Sequence, residues 1–102
     1  MGTMYDLNQI PVSHRRDVEK AIEILKSRGC KEVYLFGSLV EGPVTPNSDI
    51  DLAAKGIPVG AFFKVYAELI KYLDHPVDLI SLERDNRFGN MLQKGGYLQR
   101  VN

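Results

Sequence analysis

The segment LFGSLVEGPVTPNSDIDLAA, residues 35–54, restricts the possible folds more than any other part of the chain. It places the pair Gly37 and Ser38 ahead of Asp49 and Asp51, two aspartates separated by one position, with ten residues between Ser38 and Asp49. Aspartate is a poor strand former, and two like charges on one face of a strand repel each other. This pattern is therefore expected where a cation binds between the carboxylates.

The whole sequence predicts one domain at residues 13–102, after an irregular lead-in at 1–12. Ser13 is a suitable N-cap for a first helix that runs to about Arg28. Two more helices are predicted, at 59–75 and at about 84–94. The helix at 59–75 has a stripe of four predicted core residues: Phe62, Tyr66, Leu69 and Leu73. The adjacent Phe62 and Phe63 cannot both face inward, so one of them is expected at the surface, where it can contact a partner.

Three strands are predicted from short runs rich in apolar residues, at 32–36, 49–54 and 76–82. In the second strand, Ile50 and Leu52 point to one face, and Asp49 and Asp51 point to the other. The helix between the second and third strands makes a connection long enough for a right-handed crossover, which leaves these strands parallel. Asp78, near the start of the third strand, is then expected close to the two other aspartates.

Three neighbouring carboxylates predict a site for a divalent cation, because crowded acids destabilise the fold unless a cation neutralises them. Carboxylates without a neighbouring His or Cys suit magnesium, which usually binds a few carboxylates together with substrate phosphates. Gly37 allows a phosphate to approach the backbone closely, and the hydroxyl of Ser38 is an additional donor. Ser48, directly before Asp49, either contacts phosphate or caps the loop. The combination indicates phosphoryl or nucleotidyl transfer.

Two other binding motifs are excluded by spacing. Asn47, Asp49 and Asp51 match the first three ligand positions of an EF-hand calcium loop. However, Leu52 and Pro58 replace the glycine and the bidentate glutamate that such a loop requires. A Walker-type phosphate loop is excluded because no Gly-Lys-Ser/Thr sequence follows the Gly-Ser pair.

The stretch GSLVEGPVTPNSDID, residues 37–51, closely resembles the signature of the minimal nucleotidyltransferases of the polymerase-β-like nucleotidyltransferase superfamily. The resemblance extends over nearly the whole chain, and MLQKGGYLQR is similar to the closing helix and turn of small members. It implies an α+β fold in which helices pack on a small mixed three-stranded sheet. One departure is that Val40 and Glu41 stand where members often carry a small residue and then arginine before the second glycine, here Gly42.

The resemblance also implies a site and a reaction. Two Mg²⁺ ions would be held by Asp49, Asp51 and Asp78, and the phosphates of ATP would be bound by Gly37 and Ser38. Ser48 is a further candidate for the phosphate contacts, beside its alternative role as a loop cap. Stand-alone members of this size resemble the antitoxins of HEPN–nucleotidyltransferase pairs, which move AMP from ATP to a tyrosine of the toxic HEPN ribonuclease. The implied partner is therefore a HEPN-type toxin, with Asp78 and a metal activating the tyrosine hydroxyl.

Two alternatives remain open on the sequence. The chain could be a non-catalytic module that neutralises a partner by masking it, which Glu41 favours and the three aspartates oppose. It could also be an enzyme that modifies a small molecule such as an antibiotic, although a second subunit would be needed to complete the acceptor pocket.

The composition limits the possible partners. Thirteen basic and thirteen acidic side chains give a formal net charge of zero, so no direct nucleic-acid partner is expected. No stretch approaches the roughly 18 apolar residues of a membrane span, and no signal peptide is recognised, so no membrane partner is expected. Cys30, the only cysteine, is predicted to be a small buried side chain, which fits a cytoplasmic protein. His14 and His75 are predicted to lie at the surface.

Overall fold

The chain has an α+β fold, and the computed structural model describes its residues 5–82, 91, 95 and 98–102. A short 3-10 helix at Leu7–Gln9 precedes alternating helices and strands. In the described part of the chain, the α-helices are α1 (Val12–Ser27), α2 (Ser38–Glu41) and α3 (Phe62–Tyr72). The strands are β1 (Glu32–Phe36), β2 (Ile50–Lys55), β3 (Val77–Ser81) and β4 (Gln99–Arg100).

The strands form one mixed sheet in the order β3-β2-β1-β4. β2 and β3 run parallel, which confirms the predicted crossover through α3, whereas β1 is antiparallel to both β2 and β4. The sheet has one strand more than the three expected. The additional strand, β4, pairs with Tyr34 and Leu35 of β1 and is only two residues long, so it has no alternating pattern that a sequence could reveal.

The start of α1 differs from the prediction by two residues, because the N-cap is Pro11 and not Ser13. Pro11 directly precedes Val12, the first helical residue, and its ring fixes a φ that is compatible with a helix start. Ser13 therefore lies inside the first turn, where its hydroxyl is 2.9 Å from Nδ1 of His14 and does not cap the helix. Arg15 joins α1 to the preceding segment by donating hydrogen bonds to the carbonyls of Leu7, Asn8 and Ile10.

The core lies between the sheet and the helices α1 and α3, which also contact each other. Its fully buried side chains include Val18, Leu25, Leu35, Ile50, Leu52 and Leu69. Burial of a side chain of this size contributes about 1.5–3 kcal/mol, so these contacts fix β2 firmly in the middle of the sheet. Cys30 is buried, as predicted.

The inward face of α3 is rotated slightly from its prediction. Among the four predicted core residues, Leu69 and Leu73 are buried, whereas Phe62 and Tyr66 are half-buried. Val65, which the predicted stripe does not include, is buried. Phe63 is 82% exposed, which confirms that only one residue of the phenylalanine pair faces inward.

The predicted last helix at 84–94 lies outside the described residues, apart from Met91. None of the helices in the described part of the chain combines the length and the apolar character that a membrane span requires.

Candidate functional site

The aspartates of the predicted site meet at the edge of the sheet where β2 and β3 begin. Asp51 of β2 and Asp78 of β3 occupy paired positions in the parallel register. Asp49 immediately precedes β2. On the other side of β2, Asp51 pairs with Phe36, the last residue of β1. Asp51 therefore lies where the end of β1 meets the beginnings of the two parallel strands.

Gly37 packs directly against Asp51. Its backbone has φ 73° and ψ −149°, a region that is essentially restricted to glycine. A Cβ atom at this position would lie 2.1 Å from Oδ2 of Asp51, far closer than two such atoms can approach. Ser38 follows as the first residue of α2, and both Val40 and Glu41 donate backbone hydrogen bonds to the carbonyl of Gly37. The Gly-Ser step thus brings the start of α2 beside a carboxylate.

The electrostatics at Asp51 are unfavourable for a charged carboxylate. Burial raises the pKa of Asp51 above its ordinary value, and the charges of Asp78 and Asp49 raise it further. Asp51 therefore interacts electrostatically with both of the other acids. A bound cation would relieve this repulsion.

The donor set suits magnesium. Among the residues that the structure describes, no group of three or more His, Cys, Asp or Glu side chains is arranged so that it could hold a metal ion by itself. Magnesium, however, is usually held by one or two carboxylates together with waters and substrate phosphates, and a closed protein cage is not required. Carboxylates that repel one another beside a glycine backbone provide that kind of incomplete site.

Asp78 is held by a residue that the sequence analysis did not assign to the site. The Tyr66 hydroxyl lies 3.0 Å from Oδ1 of Asp78 and 3.0 Å from the carbonyl oxygen of Val77, and its proton can be donated to either. Burial raises the pKa of Tyr66, and the hydrogen bond to Asp78 adds to this rise. The helical stripe gave the only sequence signal for Tyr66, and that signal indicated a core position.

Ser48 lies in the loop before Asp49. Its hydroxyl accepts a hydrogen bond from the backbone amide of Thr45 at 2.8 Å, and its own amide donates to the Thr45 carbonyl at 3.0 Å. These contacts support the loop-capping interpretation of Ser48. Glu41, at the end of α2, is exposed.

The surface prediction for the two histidines was wrong for His14, which is fully buried. His14 lies four residues before Val18 and seven before Ala21, in line with the buried face of α1, so its spacing carried a usable signal. A predicted helix start at Ser13 placed it in the first turn, where side chains are often exposed. Its ring stacks on that of His75, with the centroids 3.9 Å apart.

Asparagine at position 51 is expected to make the protein more stable at neutral pH. Because the pKa of Asp51 is raised in the folded state, folding is favoured by this group below its ordinary pKa of 3.8, and that contribution is lost as pH rises through the folded-state value. A cross-strand pair of like charges costs about 0.2–1 kcal/mol, so Asp51→Asn should gain about that much at pH 7. Urea unfolding in EDTA measures the gain, which should vanish under acidic conditions. An equal gain from Asp74→Asn, an exposed acid, would contradict this explanation.

Removal of the Tyr66 hydroxyl is expected to weaken both the fold and the site. Tyr66→Phe should lower the free energy of unfolding by about 1 kcal/mol, since one hydrogen bond is lost. It should also free the Asp78 carboxylate to rotate. We expect this to lower kcat of the expected nucleotidyl transfer more than it raises KM. The matched control is Tyr72→Phe on the same helix, where the tyrosine residue is 51% exposed. Equal effects of the two substitutions would contradict a role for the Asp78 contact.

Comparison with known proteins identifies related chains. The profile of the family described as Polymerase beta, Nucleotidyltransferase matches residues 19–97. The curated proteins contain no match. Among solved structures, a toxin–antitoxin with AMP-PNP is 28% identical with a TM-score of 0.66, and the match covers 82% of this chain and 71% of that one. A mutant of the toxin–antitoxin MntA-HpeT is 26% identical with a TM-score of 0.65 and the same coverage. A second mutant of that pair is 28% identical with a TM-score of 0.64, covering 83% of this chain and 71% of that one.

Proposed function

Because the chain belongs to the polymerase β nucleotidyltransferase family, we propose that it moves AMP from ATP to a tyrosine hydroxyl of a HEPN-type ribonuclease toxin and so acts as its antitoxin. The observation that carries this proposal is the paired position of Asp51 and Asp78, with Gly37 packed against Asp51. The similar solved structures, which are toxin–antitoxin proteins and include one with an ATP analogue, support the choice of donor and partner.

In this proposal, Asp49, Asp51 and Asp78 hold two Mg²⁺ ions. When bound, magnesium polarises the reacting phosphate and neutralises the charge of the departing pyrophosphate. Asp51 and Asp78 would fix the positions of these ions because they lie on adjacent, paired strands of the sheet, and Asp49 directly precedes the first of these strands. Burial of Asp51 and its repulsion by the two neighbouring carboxylates together raise its pKa, and both effects make the site favourable for a divalent cation.

Asp78 is proposed to accept the proton of the attacking tyrosine. Its side chain is exposed, so an incoming hydroxyl can reach it, and the Tyr66 hydroxyl restrains one of its oxygens. In the step, the tyrosine oxygen forms a bond to the α-phosphorus, and the bond between that phosphorus and the bridging oxygen of pyrophosphate breaks. The proton of the tyrosine passes to the carboxylate.

Gly37 and Ser38 are proposed to contact the phosphates of ATP. The missing side chain at Gly37 leaves backbone close to the carboxylate of Asp51, so a phosphate bound there would lie beside the metal ligands. The Ser38 hydroxyl offers a donor at the start of α2. Ser48 would act by holding the 45–48 loop through its bond to Thr45, and so support Asp49.

The proposed partner requires a surface for protein contact. The outer face of α3 offers exposed apolar side chains, including Phe63 and Ile70, at 82% and 62% exposure. We expect the pair to assemble in the cytoplasm, where a thiol such as that of Cys30 stays reduced.

A transfer assay tests the proposed reaction. The chain is incubated with Mg²⁺ and a HEPN-type toxin as the acceptor, using ATP labelled at either the α- or the γ-phosphate. Adenylylation predicts label on the partner only from the α-position, loss of label with EDTA, and no label after a tyrosine-to-phenylalanine change at the modified position of the partner. Label from the γ-position alone would indicate phosphorylation and refute the proposal.

The masking alternative is favoured by Glu41, an acid where the family often has arginine. It predicts that the Asp49→Asn/Asp51→Asn double variant still binds and inhibits the toxin in the absence of ATP. If inhibition instead requires ATP, Mg²⁺ and both aspartates, masking alone is excluded.

A further inference from the structure

Behind the acidic strands lies a buried polar network that the proposed reaction does not use. Asp17, on α1, is only 4% exposed, yet one of its oxygens, Oδ2, accepts three hydrogen bonds. The donors are the backbone amides of Asp74 and His75, at 2.9 and 2.8 Å, and Nδ1 of the His75 ring, at 2.8 Å. A buried carboxylate is tolerated only when it is satisfied in this way. Asp17 therefore fixes the segment that leads into β3.

The charge state of Asp17 agrees with this geometry. Burial alone would raise the pKa of Asp17, but the hydrogen bond from the His75 ring and those from the amides of Asp74 and His75 outweigh burial and lower it. The carboxylate therefore stays ionised at neutral pH and continues to accept all three bonds.

His14, on the same helix, contacts the segment that precedes β2. Its Nε2 lies 2.8 Å from the carbonyl oxygen of Ser48, the residue directly before Asp49. A carbonyl can only accept, so Nε2 carries the proton, and Nδ1 of a neutral ring accepts from the Ser13 hydroxyl at 2.9 Å. The ring stacks on His75 at 3.9 Å, with 25° between the planes, which joins the two halves of the network.

The network thus connects α1 to both segments that precede the proposed metal ligands. Ser48 is adjacent to Asp49, and His75 is followed by Pro76, whose carbonyl accepts a hydrogen bond from the amide of Ile50 at 2.9 Å. The two segments are therefore joined to each other as well as to the helix. Asp49 lies outside the paired strand, so the sheet register alone does not fix it.

We propose that Asp17, His75 and His14 are positioning residues that align Asp49 with Asp51 and Asp78, so that the three carboxylates can share magnesium. The consequence for magnesium rests on the proposed function, whereas the alignment itself does not. These residues act through the backbone of the two segments, and none of them is assigned a contact with substrate. Loss of such supporting contacts typically lowers metal affinity about 10- to 100-fold.

The test compares three substitutions. His14→Phe keeps a stacking ring but removes the donor to Ser48, and His14→Gln restores an N–H donor at the corresponding atom. The control is Val18→Ala, which opens a cavity on the same helix at a fully buried residue without removing a polar contact. Two readouts are used: isothermal titration with Mg²⁺ and AMP-PNP, and the hydrogen exchange of the Ile50 amide relative to that of Val65 in α3.

The proposal expects His14→Phe to weaken binding of Mg²⁺ with AMP-PNP by about tenfold and to speed exchange at Ile50 relative to Val65. His14→Gln should restore most of the binding affinity and most of the protection of the Ile50 amide. Val18→Ala should change neither the affinity nor the exchange of Ile50 relative to Val65. The proposal is overturned if His14→Phe behaves like Val18→Ala. It is also overturned if the wild-type protein binds Mg²⁺ with AMP-PNP but His14→Phe changes only one of the two readouts. If the wild type binds neither ion nor analogue, the proposed function fails, and the exchange ratio alone decides the alignment.

His75→Phe provides the same test should His14→Phe not fold. The side chain of His75 is 18% exposed, so its substitution disturbs the core less, while the bond to Asp17 is lost and the ring remains. The same two readouts apply. Unchanged exchange at Ile50 in this variant would overturn the proposal by itself.

Discussion

Asp51→Asn is expected to reduce nucleotidyl transfer by about 10²- to 10³-fold while leaving the fold intact. Removal of a single preorganised group that stabilises transition-state charge commonly costs about 10²–10³-fold in kcat, and Asp51 is proposed to do this through the metal. It is the central acid of the site, paired with Asp78 across the strands and raised in pKa first by burial and then by both neighbouring charges. Single-turnover transfer from labelled ATP measures the effect.

The same substitution separates function from folding, because the asparagine protein is expected to be more stable than the wild type in the absence of metal. Lost activity therefore cannot be attributed to unfolding. Asp74→Asn, the same chemical change at an exposed acid, should keep activity near that of the wild type. If Asp51→Asn retains more than about a tenth of the wild-type rate, Asp51 does not hold the catalytic metal.

The pairing of Asp51 with Asp78 could be predicted because it depends on two general rules. Alternation with period two assigns both aspartates of the DID run to one face, and a long crossover connection makes the adjacent strands parallel. The buried positions of Ile50 and Leu52 agree with that alternation. These rules need only the local pattern and the length of the connection, both of which the sequence contains.

The contacts that support the acids could not be predicted in the same way, because they depend on how distant elements pack. The buried face of α3 contains Val65 and Leu69, so the Tyr66 ring lies at the edge of that face, beside β3. From there the Tyr66 hydroxyl reaches Asp78. The bond from His14 to Ser48 joins residues 34 positions apart. His14 lay on the apolar stripe of its helix, but a histidine on such a stripe indicates burial and does not identify its partner.

Gly37→Ala is expected to disrupt the site and the fold together. The alanine would have to adopt a backbone conformation that is essentially restricted to glycine, at a cost of about 1–3 kcal/mol. Its Cβ would also lie 2.1 Å from Oδ2 and 3.1 Å from Cγ of Asp51, so the carboxylate must move. A displacement of about 1 Å in a reacting group can cost about 10²-fold in rate, and we expect a loss of at least that size.

Gly42→Ala separates the backbone cost from the cost of the contact with Asp51. Gly42 has a similar backbone conformation, with φ 63° and ψ 174°. A Cβ atom added there would meet no heavy atom of the described residues within 4 Å, its chain neighbours aside. Gly42→Ala should therefore show the backbone cost alone, and the difference in unfolding free energy between the two alanine variants gives the cost of displacing Asp51. In an Asp51→Ala background the nearest remaining atom at position 51 is Cβ, 3.4 Å away, which is an ordinary contact. Gly37→Ala should then be no more destabilising than Gly42→Ala. An excess penalty that persists in that background would show that Gly37 is required for a reason other than its contact with the carboxylate.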